Sequence, residues 1–353
     1  MTPTFAADRI LVRCPNWVGD MVMATAHFQA IRDAFPKAKI TLSLRPNLAP
    51  ILQGAKYYDS LHYHPQKLRF SALRALAADL RKQQFDAAIL FPNSFETAFV
   101  AALARIPRRF GYSTNGRGLL LTDRLRPEMN GLKRIPSPMP FYWNKILALA
   151  GIEVKSVRPR LEVDDTTVQS FRSWLLTKNV GPRDCLLLVA PGASFGSSKL
   201  WKPQKFAAVI DDLSKAKNTK TLIHFGPGEL PIAEEIVKYC KTPVILPADA
   251  PLDLHQLKAA AQRCDLLICT DSGVRHYGVA FDRRVICIMG PNDPRYTNAN
   301  LDKTTVVRED VDCGPCQLKL CPLDHRCMER ISSDRVVTTA LQMMNTDLIN
   351  ADS

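Results

Sequence analysis

The stretch Cys264–Gly290, CDLLICTDSGVRHYGVAFDRRVICIMG, places an apolar run, Leu266 to Cys269, ahead of the polar turn Thr270-Asp271-Ser272-Gly273. Helical spacing follows from Val274 to Phe281, and a second apolar run spans Val285 to Met289. Strand, turn, short helix and strand is the pattern of a parallel βαβ unit. Open α/β sheets take their ligands at the carboxyl end of the strand that precedes such a turn. With Asp271 or Ser272 as N-cap, the free N–H groups behind it and the helix dipole suit a phosphate. Gly273 permits close backbone approach, and Arg275 and His276 add positive charge. The competing reading is an ordinary capped helix whose histidine merely packs.

Two other turns carry residues of the same chemical type. Pro191–Pro203, PGASFGSSKLWKP, surrounds Lys199 with small flexible residues, so a movable point charge can fold over a phosphate. The GxxxxGK[ST] spacing of a Walker A loop is missing. Phe225–Glu229, FGPGE, is a glycine turn whose Glu229 is suited either to a ribose or to the first turn of a helix. In the first half, Pro15-Asn16-Trp17-Val18-Gly19-Asp20 exposes a carboxylate, Asp20, after a buried strand; no GxGxxG fingerprint accompanies it.

These turns require a scaffold, and the periodicity supplies one. The first half predicts strands at 9–14, 39–44 and 87–91 and helices at 21–35, 71–84 and 94–104. A loop-rich stretch from 105 to 140, a closing helix at 141–150 and a linker near 151–165 follow. The second half restarts with a helix at 168–178 and predicts strands at 185–190, 221–225, 243–246, 266–269 and 285–289, with helices between them. The pattern is α/β: two Rossmann-like doubly wound domains, residues 1–160 and 161–330, with a last helix in 331–353 expected to cross back to the first.

With 353 residues and 46% hydrophobic content, the chain is globular and long enough for two cores. Its start, MTPTFAADRI, lacks a basic segment followed by an apolar one, and no apolar run approaches spanning length, which predicts a cytoplasmic protein. Ten cysteines then read as thiols or metal ligands rather than disulfides. Cys313, Cys316, Cys321 and Cys327 are spaced C-x2-C-x4-C-x5-C, which fits a structural zinc, fits an iron–sulfur cluster less well, and is also met in plain reduced thiols. Asp310-Val311-Asp312 spells the Asp-x-Asp of metal-dependent sugar transfer but lies outside the nucleotide turns.

A net charge of +13 favours polyanionic partners. The densest zone holds Arg105, Arg108, Arg109, Arg117, Arg124, Arg126, Lys133 and Arg134. No basic arm or aromatic-interleaved basic strand supports nucleic acid as the partner.

The ordered set NWVGDMVMA, PGASFGSSKLWKP, FGPGE, TDSGVRHYGVAF, MGPNDPRYT and CGPCQLKLCPLDHRC resembles the bacterial ADP-heptose:lipopolysaccharide heptosyltransferases, closest to the heptosyltransferase II branch. The resemblance spans nearly the whole chain. It implies a GT-B fold, with an N-terminal acceptor domain and a C-terminal nucleotide-sugar domain facing across a cleft. It also implies an inverting transfer of heptose from ADP-heptose to the lipopolysaccharide inner core, with no cofactor required for catalysis. Carried over by position, Asp20 is the catalytic base, Lys199 the phosphate contact, and Asp271, Ser272, Gly273 and His276 the nucleotide turn. Glu229 as a ribose contact is a weaker carry-over.

An anionic acceptor at the cytoplasmic face of the inner membrane accounts for the charge, with Arg108 and Arg109 as its expected contacts. The resemblance makes the cysteine motif a recurring feature without assigning it a metal. Three alternatives stay open: a related transferase moving another sugar, a nucleotide-sugar epimerase and, from a different class, a basic nucleic-acid-binding protein. Oligomeric state is not legible.

Overall fold

The structure is a computed structural model describing residues 3–65, 70–131 and 133–350, apart from the side chains of residues 70, 133 and 346–350. The side chain of Lys133, counted above in the basic zone, therefore lies outside the described residues. The chain divides into two compact units, Met1–Arg160 with Arg295–Ala299, and Leu161–Pro294 with Asn300–Ser353.

The first unit is built on a parallel sheet of β1 (Arg9–Arg13), β2 (Lys39–Leu44), β3 (Ser60–Tyr63), β4 (Ala87–Leu90), β5 (Arg108–Tyr112) and β6 (Asp123–Leu125), in the order β3-β2-β1-β4-β5-β6. A small antiparallel hairpin, β7 (Met129–Asn130) and β8 (Lys133–Arg134), stands outside it. The second unit repeats the plan with β9 (Leu186–Ala190), β10 (Lys220–Ile223), β11 (Val244–Ile245), β12 (Leu266–Thr270), β13 (Arg284–Ile288) and β14 (Thr304–Val307). Their order is β11-β10-β9-β12-β13-β14. Numbered within each unit, both sheets run 3-2-1-4-5-6, the doubly wound arrangement of nucleotide-binding folds.

The central strands are almost wholly apolar because helices cover both faces: LLLVA in β9 and LLICT in β12 are buried at every position. Strands β3, β5 and β6 were invisible to periodicity for the complementary reason. SLHY, RRFGY and DRL mix charge with small or polar residues, and they become strands by pairing with a better-formed neighbour. The stretch read as loop from 105 to 140 thus supplies β5 and β6.

The connecting helices show conventional ends. Pro203 opens the helix Pro203–Lys217 at its first position, and Asn218 closes it in the left-handed conformation.

The last helix, Ser333–Asn350, falls within the second unit. It packs on the helix Pro203–Lys217 and β13, buries Val336 and Ala340 in the second core, and accepts from Lys217 Nζ at Asn345 Oδ1, 2.6 Å away. An amphipathic helix docks where an apolar face already waits for it, and that face belongs to the second unit. Among the described residues no helix is long and apolar enough to cross a membrane.

Candidate functional site

In the second sheet β9 lies between β10 and β12, so the turns that follow these three strands are neighbours at one carboxyl edge. Thr270 Oγ1, ending β12, donates to Gly192 O at 2.6 Å and ties two of the turns together. Glu229 joins the third: its Oε2 accepts from Gly226 N at 2.8 Å. A Cβ on Gly192 would stand 1.9 Å from that carboxylate. Gly192 is therefore a close-approach glycine, and its bareness lets the Glu229 carboxylate lie across the end of β9.

Charge is concentrated at the center of this edge. Lys199, 8% exposed, donates from Nζ to Asp271 O at 2.8 Å and Asp271 Oδ2 at 3.0 Å, and stands 5.0 Å over the Phe195 ring. Arg275, 1% exposed, brings Nη1 to 3.7 Å from Asp271 Oδ1, and Asn292 Nδ2 donates to Asp271 Oδ2 at 2.6 Å. Burial works to raise the Asp271 carboxyl, but Lys199 and Arg275 outweigh it and hold the group below the usual carboxylate range. Burial, then the Arg275 charge, brings His276 down to about 3, so its imidazole is neutral at physiological pH. Two cations against one carboxylate leave one net positive charge in a low-dielectric setting, a pre-oriented seat for developing negative charge.

The structure refines the turn itself. Gly273, not Asp271 or Ser272, is the N-cap of the helix Val274–Ala280. The Asp271 side chain is turned away from capping because two buried cations compete for it more strongly than backbone N–H groups do. Ser272 Oγ is buried without a hydrogen-bond partner.

The loop carrying Lys199 is held by the cysteine-bearing segment. Ser198 N donates to Lys319 O at 3.1 Å and Ser198 Oγ to Leu318 O at 2.5 Å, while His325 Nε2 is 2.6 Å from Ser198 O. Trp201 Nε1 donates to Ile331 O at 3.1 Å. A Cβ on Gly196 would come within 2.3 Å of the Lys319 carbonyl oxygen. All four cysteines of the segment are free thiols, with Cys327 buried and pushed up by that burial and by Cys313, Cys316 and Cys321. Among the described residues no three His, Cys, Asp or Glu side chains are gathered as a metal ion requires. The segment's visible work is to clamp the Lys199 loop.

In the first unit Asp20 sits in the first turn of the helix Val18–Ala34, directly after β1 and its turn. The basic zone looks different from its sequence reading. Arg108 forms a two-bond pair with Asp123, at 2.8 and 2.7 Å, and Arg109 donates to the carbonyls of Leu120 and Ile106. Arg117 is fully buried among Pro92 O, Tyr112 O, Thr97 Oγ1 and Asn93 Oδ1. These guanidiniums stitch β5 and β6 to the sheet, whereas Arg105, Arg124 and Arg126 are exposed. Sequence reasoning missed Asn292, Ser198 and Phe195; only Asn292 had a sequence signal, as the polar turn after the β13 run.

Residues 73–326 match Glycosyltransferase family 9 (heptosyltransferase). The lipooligosaccharide heptosyltransferase 2 of Haemophilus influenzae is 26% identical over 310 residues, covering 85% of this chain and 88% of its own length. A glycosyl transferase family 9 structure from Veillonella parvula superposes with a TM-score of 0.81 at 21% identity, covering 96% of this chain and 97% of that one. The E. coli ADP-heptose lps heptosyltransferase II structure gives 0.77 at 22% identity, covering 96% and 99%.

Proposed function

Because the chain belongs to glycosyltransferase family 9 (heptosyltransferase), we propose that it transfers heptose from ADP-heptose to an anionic lipopolysaccharide inner-core acceptor, in the manner of a heptosyltransferase II. The observation that carries this reading is the Lys199–Asp271–Arg275 cluster at the carboxyl edge of the second sheet, flanked by the Gly192 and Gly226–Glu229 turns. Such an edge suits a nucleoside diphosphate: cations for the phosphates, a carboxylate for the ribose hydroxyls and bare glycines for close approach.

In this reaction an acceptor hydroxyl attacks the anomeric carbon as the bond from that carbon to the β-phosphate oxygen breaks, inverting the configuration. Asp20 takes the hydroxyl proton, a step worth about 10²- to 10⁴-fold. The electron pair leaves with ADP, whose new charge falls to Lys199, the Gly273 N–H and the field of Arg275. Neutral His276 serves as a hydrogen-bonding group rather than a cation. Asp271 is a positioning residue that holds the Lys199 ammonium in place before the donor arrives. The net charge of +13 suits work at the anionic inner face of the inner membrane, with the protein bound peripherally.

The deciding measurement is ADP release from ADP-heptose with a heptose-terminated acceptor. Asp20→Ala is expected to lower turnover by about 10²- to 10⁴-fold while ADP affinity stays intact. Unchanged turnover, or ADP binding lost with it, overturns the assignment. A donor panel is expected to favour the ADP-heptose over UDP- and GDP-sugars.

A further inference from the structure

The first unit has a recess of its own at the same end of its sheet. A cavity of about 310 Å³ opens where β1, β2 and β4 end, with Arg13, Arg45 and His64 on one side and Ser94, Glu96 and Thr97 on the other. Its floor is apolar and includes Leu11, Leu90 and Val100. The volume falls at the lower end of small-molecule sites, roughly 300 to 1,000 Å³. Its position, beside the point where strand order reverses between β1 and β4, is where such sheets bind ligands.

The polar lining is incomplete. Arg13 Nη1 donates to Ser43 O at 3.1 Å and Nη2 lies 3.3 Å from His64 Nδ1; Arg45 reaches only Asn16 O, at 3.4 Å. Among the described residues no carboxylate accepts from either guanidinium, and the exposed Glu96 attracts Arg13 only at a distance. His64 is 2% exposed, yet its Nε2 has no hydrogen-bond partner, and neither do Arg45 Nε and Asn16 Oδ1. Two of these, Arg45 Nε and His64 Nε2, are groups that an anionic ligand would complete, while Asn16 Oδ1 suits a hydroxyl of the same ligand.

We infer that this recess binds the oxyanion of an anionic sugar, carboxylate or phosphate, with Arg13 and Arg45 forking onto its oxygens and His64 Nε2 donating to it. Guanidinium forks match planar or tetrahedral oxyanions, and an oxyanion selects the Nε2–H tautomer of His64, in which Nδ1 accepts from Arg13 Nη2 and gives up its donation to Pro65 O, 3.0 Å away. Burial and the Arg13 and Arg45 charges bring that ring down to about 3, so it serves as a neutral donor.

Glu96, Ser94 and Thr97 can take sugar hydroxyls, and the Glu96 carboxylate disfavours a bare diphosphate. Exposed Trp17 and Phe95 are each next in sequence to a lining residue. The inference rests on the transfer reaction above and deepens it: the recess holds a charged group of the acceptor.

The test uses the full chain saturated with ADP, so that the second unit's cations are occupied, and titrates inorganic phosphate, glucuronate and glucose by calorimetry. Phosphate or glucuronate is expected to bind and glucose at least tenfold more weakly; which anion binds tighter tells a phosphate from a carboxylate acceptor. Arg13→Met and Arg45→Ala should each weaken the anion tenfold or more, raise acceptor KM in parallel and leave ADP affinity alone. Arg13→Met should also keep or raise Tm, which a merely structural arginine would not allow. Glucose binding as well as glucuronate, or variants binding like the parent, overturns the inference. The titration needs no turnover, so it fails or stands independently of the Asp20→Ala result.

Discussion

The two units share one strand order, yet their carboxyl edges are finished differently. At the second edge every charge has a partner: Asp271 receives Lys199, Asn292 and the attraction of Arg275, and is itself nearly sealed from water. At the first edge two guanidiniums face a cavity with no carboxylate bonded to them. A clamped cluster whose two cations share one carboxylate is suited to a ligand whose charge changes during reaction, because its cations must already be aimed. An uncompensated recess is suited to a ligand whose charge is constant and supplies the missing partner.

Removing the acid at each edge separates the two designs most sharply. Asp271→Ala removes the carboxylate that the buried Lys199 and Arg275 share and should cost about 3–5 kcal/mol in urea unfolding. Glu96→Gln, at an exposed carboxylate of the first edge, should stay within about 0.5 kcal/mol. Similar costs at both edges would erase the distinction.

Acid should weaken the whole fold next. His64, His224 and His276 are held by burial near 3, 4 and 3 against an ordinary 6.5. Their folded values are depressed, so the unfolded chain takes up protons that the folded one refuses. Stability is thus complete above about pH 6.5 and is lost on falling from there toward pH 3, by about 1.4 kcal/mol per pH unit per histidine. Tm measured from pH 7.5 to 4.5 should drop in that direction, and His64→Gln and His276→Gln should each flatten the slope. A flat profile in the parent would show that these rings are hydrated.

Gly196→Ala tests the clamp that only the second edge possesses. Its Cβ would meet the Lys319 backbone oxygen, which cannot swing aside as a side chain could, so a loss of about 1–3 kcal/mol together with weaker ADP binding is expected. Intact ADP affinity would mean that the cysteine-bearing segment does not position Lys199. The smallest effect should come from Arg108→Ala, because its pair with Asp123 is partly exposed and worth about 1 kcal/mol at most. A raised acceptor KM in that variant would return Arg108 to the acceptor contact expected from sequence.

Much of this was legible in the order of residues. Runs such as Leu266–Thr270 and Leu186–Ala190 announce buried parallel strands because both faces of such a strand are apolar, and the polar turns after them name the reactive residues. Strands β3, β5, β6 and β14 were not legible, since each owes its shape to pairing with a neighbouring strand rather than to an apolar period of its own. The basic zone could not be resolved for a related reason: a guanidinium is written identically whether it faces water, as Arg126 does, or lies buried against carbonyls, as Arg117 does.

By itself the sequence determined the two-fold α/β plan, the family, and Lys199, Asp271 and His276 as the residues of interest, because apolar period and ordered motifs are local properties. Only the tertiary structure decided that Asp271 is the counter-ion of Lys199 rather than a helix cap, that the cysteine-bearing segment clamps the Lys199 loop, and that Arg13 and Arg45 converge with His64 on one recess. Pairing of charges depends on distance through space and on burial, and neither is written along the chain.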